Sequence, residues 1–428
     1  MHKELKQLSQ NFTGLIGRHI ALAFLFAAFF VGTQDVLAQE FPQHDLKVET
    51  IAENLDVPWA IAFAPDGRIF VTERTGALRV IEDGSLQNSP VLKLDVGGAE
   101  GGLLGLALDP NFEENHYLYL YYTYSEFLST YNRVSRFTES NNSVSDELVL
   151  IDKISGAAIH DGGRIKFGPD GKLYITTGDA ANMSLAQDLD SLAGKILRIN
   201  PDGTIPHDNP FADSPVYSYG HRNPQGLDWD PTSGILVATE HGPSGDRGFA
   251  RDEINIISAG KNYGWPEITG DEENPKYVLP IFHTGDVAWA PSGAAFYDGN
   301  RIPDLKGKFL VANLRGVHLH AFELDTTQGK ILSEESLFSG TFGRLRDVHI
   351  NDGYIYLLTS NQDGRGSPRQ NDDRILKIMP LDQGRQEETQ EEICSVGLEL
   401  VIKASNGNPA CVKPATKLKL IERGWAHN

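Results

Sequence analysis

The sequence predicts an all-β fold, a six-bladed β-propeller, from three observations. A strand–turn–strand motif built around Asp, Pro and Gly recurs six times along the chain. Glycine is abundant, 43 of 428 residues, and evenly spread, as many tight turns require. No long amphipathic helical pattern interrupts the repeats. A β-sandwich would not repeat one motif six times, and the repeats of a β-helix are much shorter.

The repeats run in order. Residues 61–72 read Ile-Ala-Phe-Ala-Pro-Asp-Gly-Arg-Ile-Phe-Val-Thr, and residues 165–176 read Ile-Lys-Phe-Gly-Pro-Asp-Gly-Lys-Leu-Tyr-Ile-Thr. Between them, Leu106-Ala-Leu-Asp-Pro leads to the tyrosine-rich run at residues 117–122. Leu227-Asp-Trp-Asp-Pro, Ala295-Phe-Tyr-Asp-Gly and Val348-His-Ile-Asn-Asp-Gly open the last three. Pro presets the turn and Gly supplies positive φ, so each unit is an antiparallel hairpin. Further strands follow, as at residues 77–81 and 195–199, which gives the three to four strands of a blade.

The ends of the chain differ from this body. Lys3, Lys6 and Arg18 precede an apolar stretch from Ile20 to Gly32, then Val36-Leu37-Ala38 offers a small-residue cleavage site. Residues 1–38 therefore read as a signal peptide, with an uncleaved anchor as the alternative and the only membrane contact expected. Either way the body is expected outside the cytoplasm, in a periplasmic, pseudoperiplasmic or extracellular space. The propeller spans residues 39–382, a Glu-rich linker 383–392 and a small C-terminal module 393–428. Both cysteines, Cys394 and Cys411, lie in that module. In an exported chain they suggest one disulfide, worth roughly 3 kcal/mol in the chain-entropy model, with two free thiols as the alternative. The formal charge of −20 excludes a nucleic-acid partner, whose affinity depends on Lys and Arg.

No Walker loop, Gly-x-Gly-x-x-Gly, Gly-x-Ser-x-Gly or His-Glu-x-x-His is present. The chemistry-bearing residues instead stand immediately before or after the repeated strands. His160 opens the third repeat and Asp179 closes its hairpin, so the two are expected at one end, as a base and its orienting carboxylate. A surface histidine capped by an aspartate is the plainer alternative. Arg222 and Asn223 open the fourth repeat; Arg344 and Arg346 open the sixth and point the same way along a strand. Cations at equivalent positions in an acidic protein imply an anion in the channel mouth, although each could be a structural ion pair. Around Gly242-Pro243, the free carbonyls and the acidic Asp252-Glu253 are hard oxygen donors suited to calcium; such loops are also often merely solvated.

Nine stretches together resemble the soluble glucose/aldose sugar dehydrogenases, which use pyrroloquinoline quinone (PQQ) on a six-bladed propeller. They are Val57-Pro-Trp-Ala, Gly101-Gly-Leu-Leu-Gly, His160-Asp-Gly-Gly-Arg, Tyr219-Gly-His-Arg-Asn-Pro-Gln-Gly, His241-Gly-Pro, Asp252-Glu-Ile-Asn, Asn262-Tyr-Gly-Trp-Pro, Ala290-Pro-Ser-Gly and Arg344-Leu-Arg-Asp-Val. The resemblance implies that His160 takes the proton of the aldose C1 hydroxyl and Asp179 orients it. The C1 hydride then passes to PQQ, with Arg222 stabilising charge on the quinone oxygen. It implies cofactor contacts from Asn223, Arg344, Arg346 and, on the fifth blade, Asn313 and Arg315. It implies calcium held by the Gly242 and Pro243 carbonyls, and a second, structural calcium at Glu253 and Tyr263. One departure stands out: the family usually has Gln where this chain has Glu100, a further expected cofactor contact.

Two other functions fit a propeller. A calcium-dependent lactonase-type hydrolase needs metal-binding carboxylates in the channel and no arginine cluster. A non-catalytic propeller binding carbohydrate or protein would not need the His160–Asp179 pair. Neither the sugar nor the electron acceptor can be named from the residues.

Overall fold

Each repeat folds as the inner hairpin of one blade in a computed structural model that describes residues 39–41, 45–243, 248–381, 398–404 and 409–427. Blade 1 comprises Pro58–Phe63, Ile69–Glu73 and Ala77–Glu82, with two short outer strands. Blade 2 is Leu103–Leu108, Tyr117–Glu126, Ser129–Ser140 and Ser143–Gly156. Blade 3 is Ile165–Phe167, Leu173–Thr176, Lys195–Ile199 and Val216–Tyr219. Blade 4 is Pro224–Trp229, Leu236–Glu240, Glu253–Ile257 and Phe282–His283. Blade 5 is Pro291–Phe296, Phe309–Asn313, His318–Asp325 and Lys330–Leu337. Blade 6 is Leu345–Asn351, Tyr354–Thr359 and Ile375–Pro380, and every pairing is antiparallel.

The ring closes by a route that local pattern does not reveal. Leu46–Ala52, ahead of the first repeat, pairs with Ile375–Pro380 and completes blade 6. The innermost strands neighbour one another around the whole circle, the sixth against the first. Apolar side chains from adjacent blades form the core, with Tyr119, Tyr121, Tyr297, Phe309 and Phe322 fully buried. Buried threonines at the end of second strands pin blades together: Thr72 donates to the Leu104 carbonyl at 2.6 Å and Thr239 to the Ser292 carbonyl at 2.8 Å.

Five of the six inner strands carry one extra residue near their N-terminal ends. The shifts fall at Trp59, between Leu103 and Leu106, at Gln225, between Pro291 and Ala294, and at Arg346. A bulge bends the strand and re-aims a side chain. Here it aims Gln225, Ser292 and Arg346 into the central channel.

The expected signal peptide at 1–38 and linker at 383–392 lie outside the described residues. Within the C-terminal module, Glu399–Lys403, Pro409–Val412 and Ala426–His427 form a separate three-stranded sheet beside the helix Pro414–Glu422. Cys411 lies in that sheet and no described cysteine is free. Cys394, the other half of the expected disulfide, lies outside the described residues. No described helix is long and apolar enough to cross a membrane.

Candidate active site

The inner strands all begin at one end of the channel, and the residues just before them face a cavity of about 460 Å³. Glu100 stands before blade 2, His160 before blade 3, Arg222 and Asn223 before blade 4, and Arg344 before blade 6; all line it. Residues just after the second strands complete the wall: Arg74, His241, Leu314 and Arg315, then Asp363 to Arg365. The hairpin topology thus gathers side chains from across the sequence at one mouth.

His160 has φ +65°, a left-handed conformation, and its Nδ1 lies 2.7 Å from Asp179 Oδ1. Asp179 is fully buried, and its other oxygen accepts the Trp265 indole N–H at 2.8 Å. The carboxylate is therefore held from both sides, which fixes the imidazole and leaves Nε2 for the cavity. Gly178 permits this approach, because a Cβ there would sit 1.9 Å from the His160 carbonyl oxygen. Beneath it, Lys195 donates to the Leu185 and Ala193 carbonyls at 2.7 Å each, tying down the loop that follows Asp179.

Six arginines line the cavity against two carboxylates, Glu100 and Asp363. Arg344 pairs with Asp363 at 2.7 Å. Arg346 is buried and makes its direct contacts with neutral groups: it donates to Gln225 Oε1 at 2.8 Å and Ser292 Oγ at 3.2 Å, and lies 5.7 Å from the Trp59 ring. Burial, with Arg74 and Arg344 nearby, pushes its guanidinium down to about 9. Burial likewise lowers Arg222, which donates to the His241 carbonyl and sits 5.4 Å over Trp265. Burial with Arg346 and Arg222 alongside pushes His241 down to about 3, so its ring is neutral. Three buried side-chain nitrogens in this lining have no hydrogen-bond partner among the described residues: Asn223 Nδ2, His241 Nε2 and Arg346 Nε. Cations in excess, with orphaned polar atoms, describe a site built for a polar anion.

Glu100 is reconciled with that charge. One oxygen accepts the His160 backbone N–H at 3.0 Å and the other meets Arg365 at 2.6 Å. Burial opposes its ionisation, but these two contacts outweigh it and hold the carboxyl below its usual range.

Two expected groups lie elsewhere. Asn313 is fully buried and is not in the lining; its amide donates to the Val311 and His318 carbonyls of its own blade. Its Oδ1 is buried with no hydrogen-bond partner among the described residues, so its expected role as a cofactor contact stays a proposal. Gly242, Pro243, Glu253 and Tyr263 line a small adjoining pocket behind Arg222 and His241. Gly242 leaves no room for a side chain, since a Cβ would lie 2.1 Å from the Ala250 carbonyl oxygen. The Tyr263 hydroxyl is committed to the Ile256 carbonyl and the Ser258 N–H, so any ligand it offers is its backbone carbonyl. Glu253 is pushed up to about 8 by burial and by Glu240.

Sequence reasoning missed Arg74, Gln225, Asp363 and Arg365, and gave no role to His241 or Trp265. Alignment of the residues after each second strand would have found Arg74 and His241, which occupy the blade position of Leu314, one residue before Arg315.

The glucose/sorbosone dehydrogenase family model matches residues 55–375. The aldose sugar dehydrogenase YliI of Escherichia coli is 33 % identical over 368 residues, 78 % of this chain and 93 % of that protein. A structure from Thermus thermophilus is 43 % identical with TM-score 0.72, covering 78 % of this chain and 100 % of that one. The PQQ-bound aldose sugar dehydrogenase of Streptomyces coelicolor is 34 % identical with TM-score 0.70, covering 78 % of this chain and 98 % of that one. The chain belongs to the glucose/sorbosone dehydrogenase family.

Proposed function

We propose that this protein is a quinoprotein sugar dehydrogenase that oxidises the C1 hydroxyl of an aldose to the lactone, using PQQ and calcium. The observation that carries the reading is the His160–Asp179 pair opening onto an arginine-lined cavity that contains orphaned donors. The relatives named for aldose oxidation and for bound PQQ support it. PQQ, when bound, supplies the two-electron acceptor.

The residues fit such a group. PQQ is a tricarboxylate, and Arg346, Arg344 and Arg74 offer cations on one side of the cavity. Asn223 Nδ2 and Arg346 Nε are donors awaiting acceptors. Asp179 accepts Nδ1–H of His160, which leaves Nε2 as the proton acceptor for a substrate hydroxyl. Arg222, stacked over Trp265, supplies positive charge from within a dry wall, where it acts strongly.

Calcium fits the adjoining pocket. Its oxygens would come from the Gly242 and Pro243 carbonyls, with Glu253 and the Tyr263 carbonyl at a second position. Glu240, Glu253 and Asp252 crowd a buried region where burial opposes the ionisation of Glu253 and Asp252, and a divalent cation would favour the charged forms. The hydrolase alternative is opposed by the six arginines.

The same reading places the chain outside the cytoplasm, on its N-terminal residues alone, and joins Cys394 to Cys411. Its acceptor is an unidentified electron carrier. The test is reconstitution of the purified chain with PQQ and calcium, followed by dye reduction with a panel of aldoses. Uptake seen as a spectral change, then sugar-dependent reduction, supports the reading; no spectral change on adding PQQ removes it.

A further inference from the structure

One surface feature plays no part in that chemistry. Blade 2 carries a long hairpin, Tyr117–Glu126 and Ser129–Ser140, whose tip is Phe127 and Leu128. Both side chains are fully exposed, at 98 % and 104 %. Scattered exposed apolar residues are ordinary, but two adjacent large ones at a built tip are not.

Register places this tip on the face of the cavity mouth. Leu103, at the mouth end of the inner strand, pairs with Tyr122, and the strand then runs on to Glu126. That extension is about 13 Å at the usual strand rise. On the other side Thr130 pairs with Gly156, only four residues before His160. The hairpin therefore stands beside the mouth and projects past it.

Below the tip lies a collar. Tyr124 and Tyr131 lie side by side, their rings tilted by 36° with centres 5.9 Å apart. Arg133 lies 4.5 Å over Tyr124, and Lys153 lies 4.5 Å from Tyr131. Lys153 pairs with Glu126 and Arg133 with Asp152, so the four charges cancel. An apolar tip above half-buried tyrosines and long basic side chains is the layering of an interfacial membrane contact.

We propose that Phe127 and Leu128 insert into the interfacial layer of a bilayer and turn the cavity mouth toward it. A lipid surface fits better than a protein partner. The tip is a convex knob of two residues, far below the roughly 800 Å² per partner of a stable protein interface. A fluid layer receives a knob without a matching pocket. The neutral collar and the acidic body point to zwitterionic lipid, with little dependence on salt.

The proposal does not rest on the catalytic reading, because vesicle binding needs neither cofactor nor turnover. The experiment mixes full-length wild type, F127S/L128S and L128W with phosphatidylcholine vesicles, some bearing brominated acyl chains. Expected results are quenching of the added Trp fluorescence in L128W beyond that of wild type, and a vesicle-bound fraction about tenfold lower for F127S/L128S with thermal unfolding unchanged. Equal sedimentation of F127S/L128S and wild type, as when residues 20–32 alone hold the chain, would overturn it. So would an unquenched L128W signal, or one that changes with protein concentration in the absence of lipid, which would assign the tip to a second copy.

Discussion

Arg346 of blade 6 donates to Gln225 of blade 4 at 2.8 Å, across the central channel. Both are the extra residues of strand bulges. With Ser292 and Trp59 they form the floor of the arginine-lined cavity. On the far side of that floor, Arg164 lies 4.4 Å over the same Trp59 ring and pairs with Asp347 at 3.0 Å. A second cavity of about 260 Å³ opens beyond this pair. The floor thus closes the site from below and leaves Arg346 as a buried cation whose hydrogen bonds go to neutral groups, with no carboxylate paired to it among the described residues.

A buried cation without a carboxylate costs stability in the ligand-free protein. Arg346→Met is expected to raise the unfolding free energy of the cofactor-free protein by about 1–3 kcal/mol, and to weaken PQQ binding about a hundredfold or more. Thermal denaturation and an absorbance titration check the two halves. A less stable variant would show that Arg346 serves the fold instead.

The Glu100–Arg365 pair gives a second expectation. Arg365→Gln leaves one Glu100 oxygen unpaired in a cavity built for an anion, and PQQ affinity should fall about tenfold, roughly 1.4 kcal/mol. Adding Glu100→Gln should restore most of it. Independent, additive effects in the double-mutant cycle would mean the two residues do not act as a pair.

His160→Ala is expected to lower kcat about 10²- to 10⁴-fold while PQQ uptake stays near wild type. Asp179→Asn should lower kcat as well, because an amide no longer enforces the Nδ1–H tautomer. Steady-state kinetics beside a cofactor titration separate the steps. Retained turnover in His160→Ala would remove His160 as the base.

Asp161, next to His160, carries a pH effect. Burial pushes its carboxyl up to about 6, against bonds from Asn132 and the Ala157 N–H. The folded state then holds a proton between about pH 4 and 6 that the unfolded state has lost. Stability contributed by this group is present at low pH and is lost as pH rises through about 6. Asp161→Asn should therefore stabilise the protein at pH 7 by about 1–3 kcal/mol and flatten the profile between about pH 4 and 6.5. Urea unfolding at both ends of that range checks it; an unchanged slope would place the ionisation elsewhere.

What could be read from the residues divides along physical lines. Turn chemistry is local, so the Pro-Asp-Gly hairpins and the six units were legible, as were His160, Arg222 and Arg344 at strand starts. Blade 6 closure was not, because nothing near Leu46–Ala52 encodes a partner at Ile375–Pro380. Bulges were hidden too: one extra residue in a short apolar strand leaves its periodicity almost unaltered, so Gln225 and the floor beneath the site went unseen. Trp265 was quoted within a motif, yet only folding brings its indole to Asp179, 86 residues away.

The most direct measurement follows the bound cofactor itself. The purified protein is loaded with one equivalent of PQQ in calcium buffer and mixed with an aldose under anaerobic conditions, and the absorbance is recorded through a single turnover. The account predicts saturable PQQ uptake, then sugar-dependent conversion to the reduced spectrum in wild type, slowed about a hundredfold or more in His160→Ala. Failure of wild type to take up PQQ, or uptake with no change on adding any aldose of the panel, would contradict it.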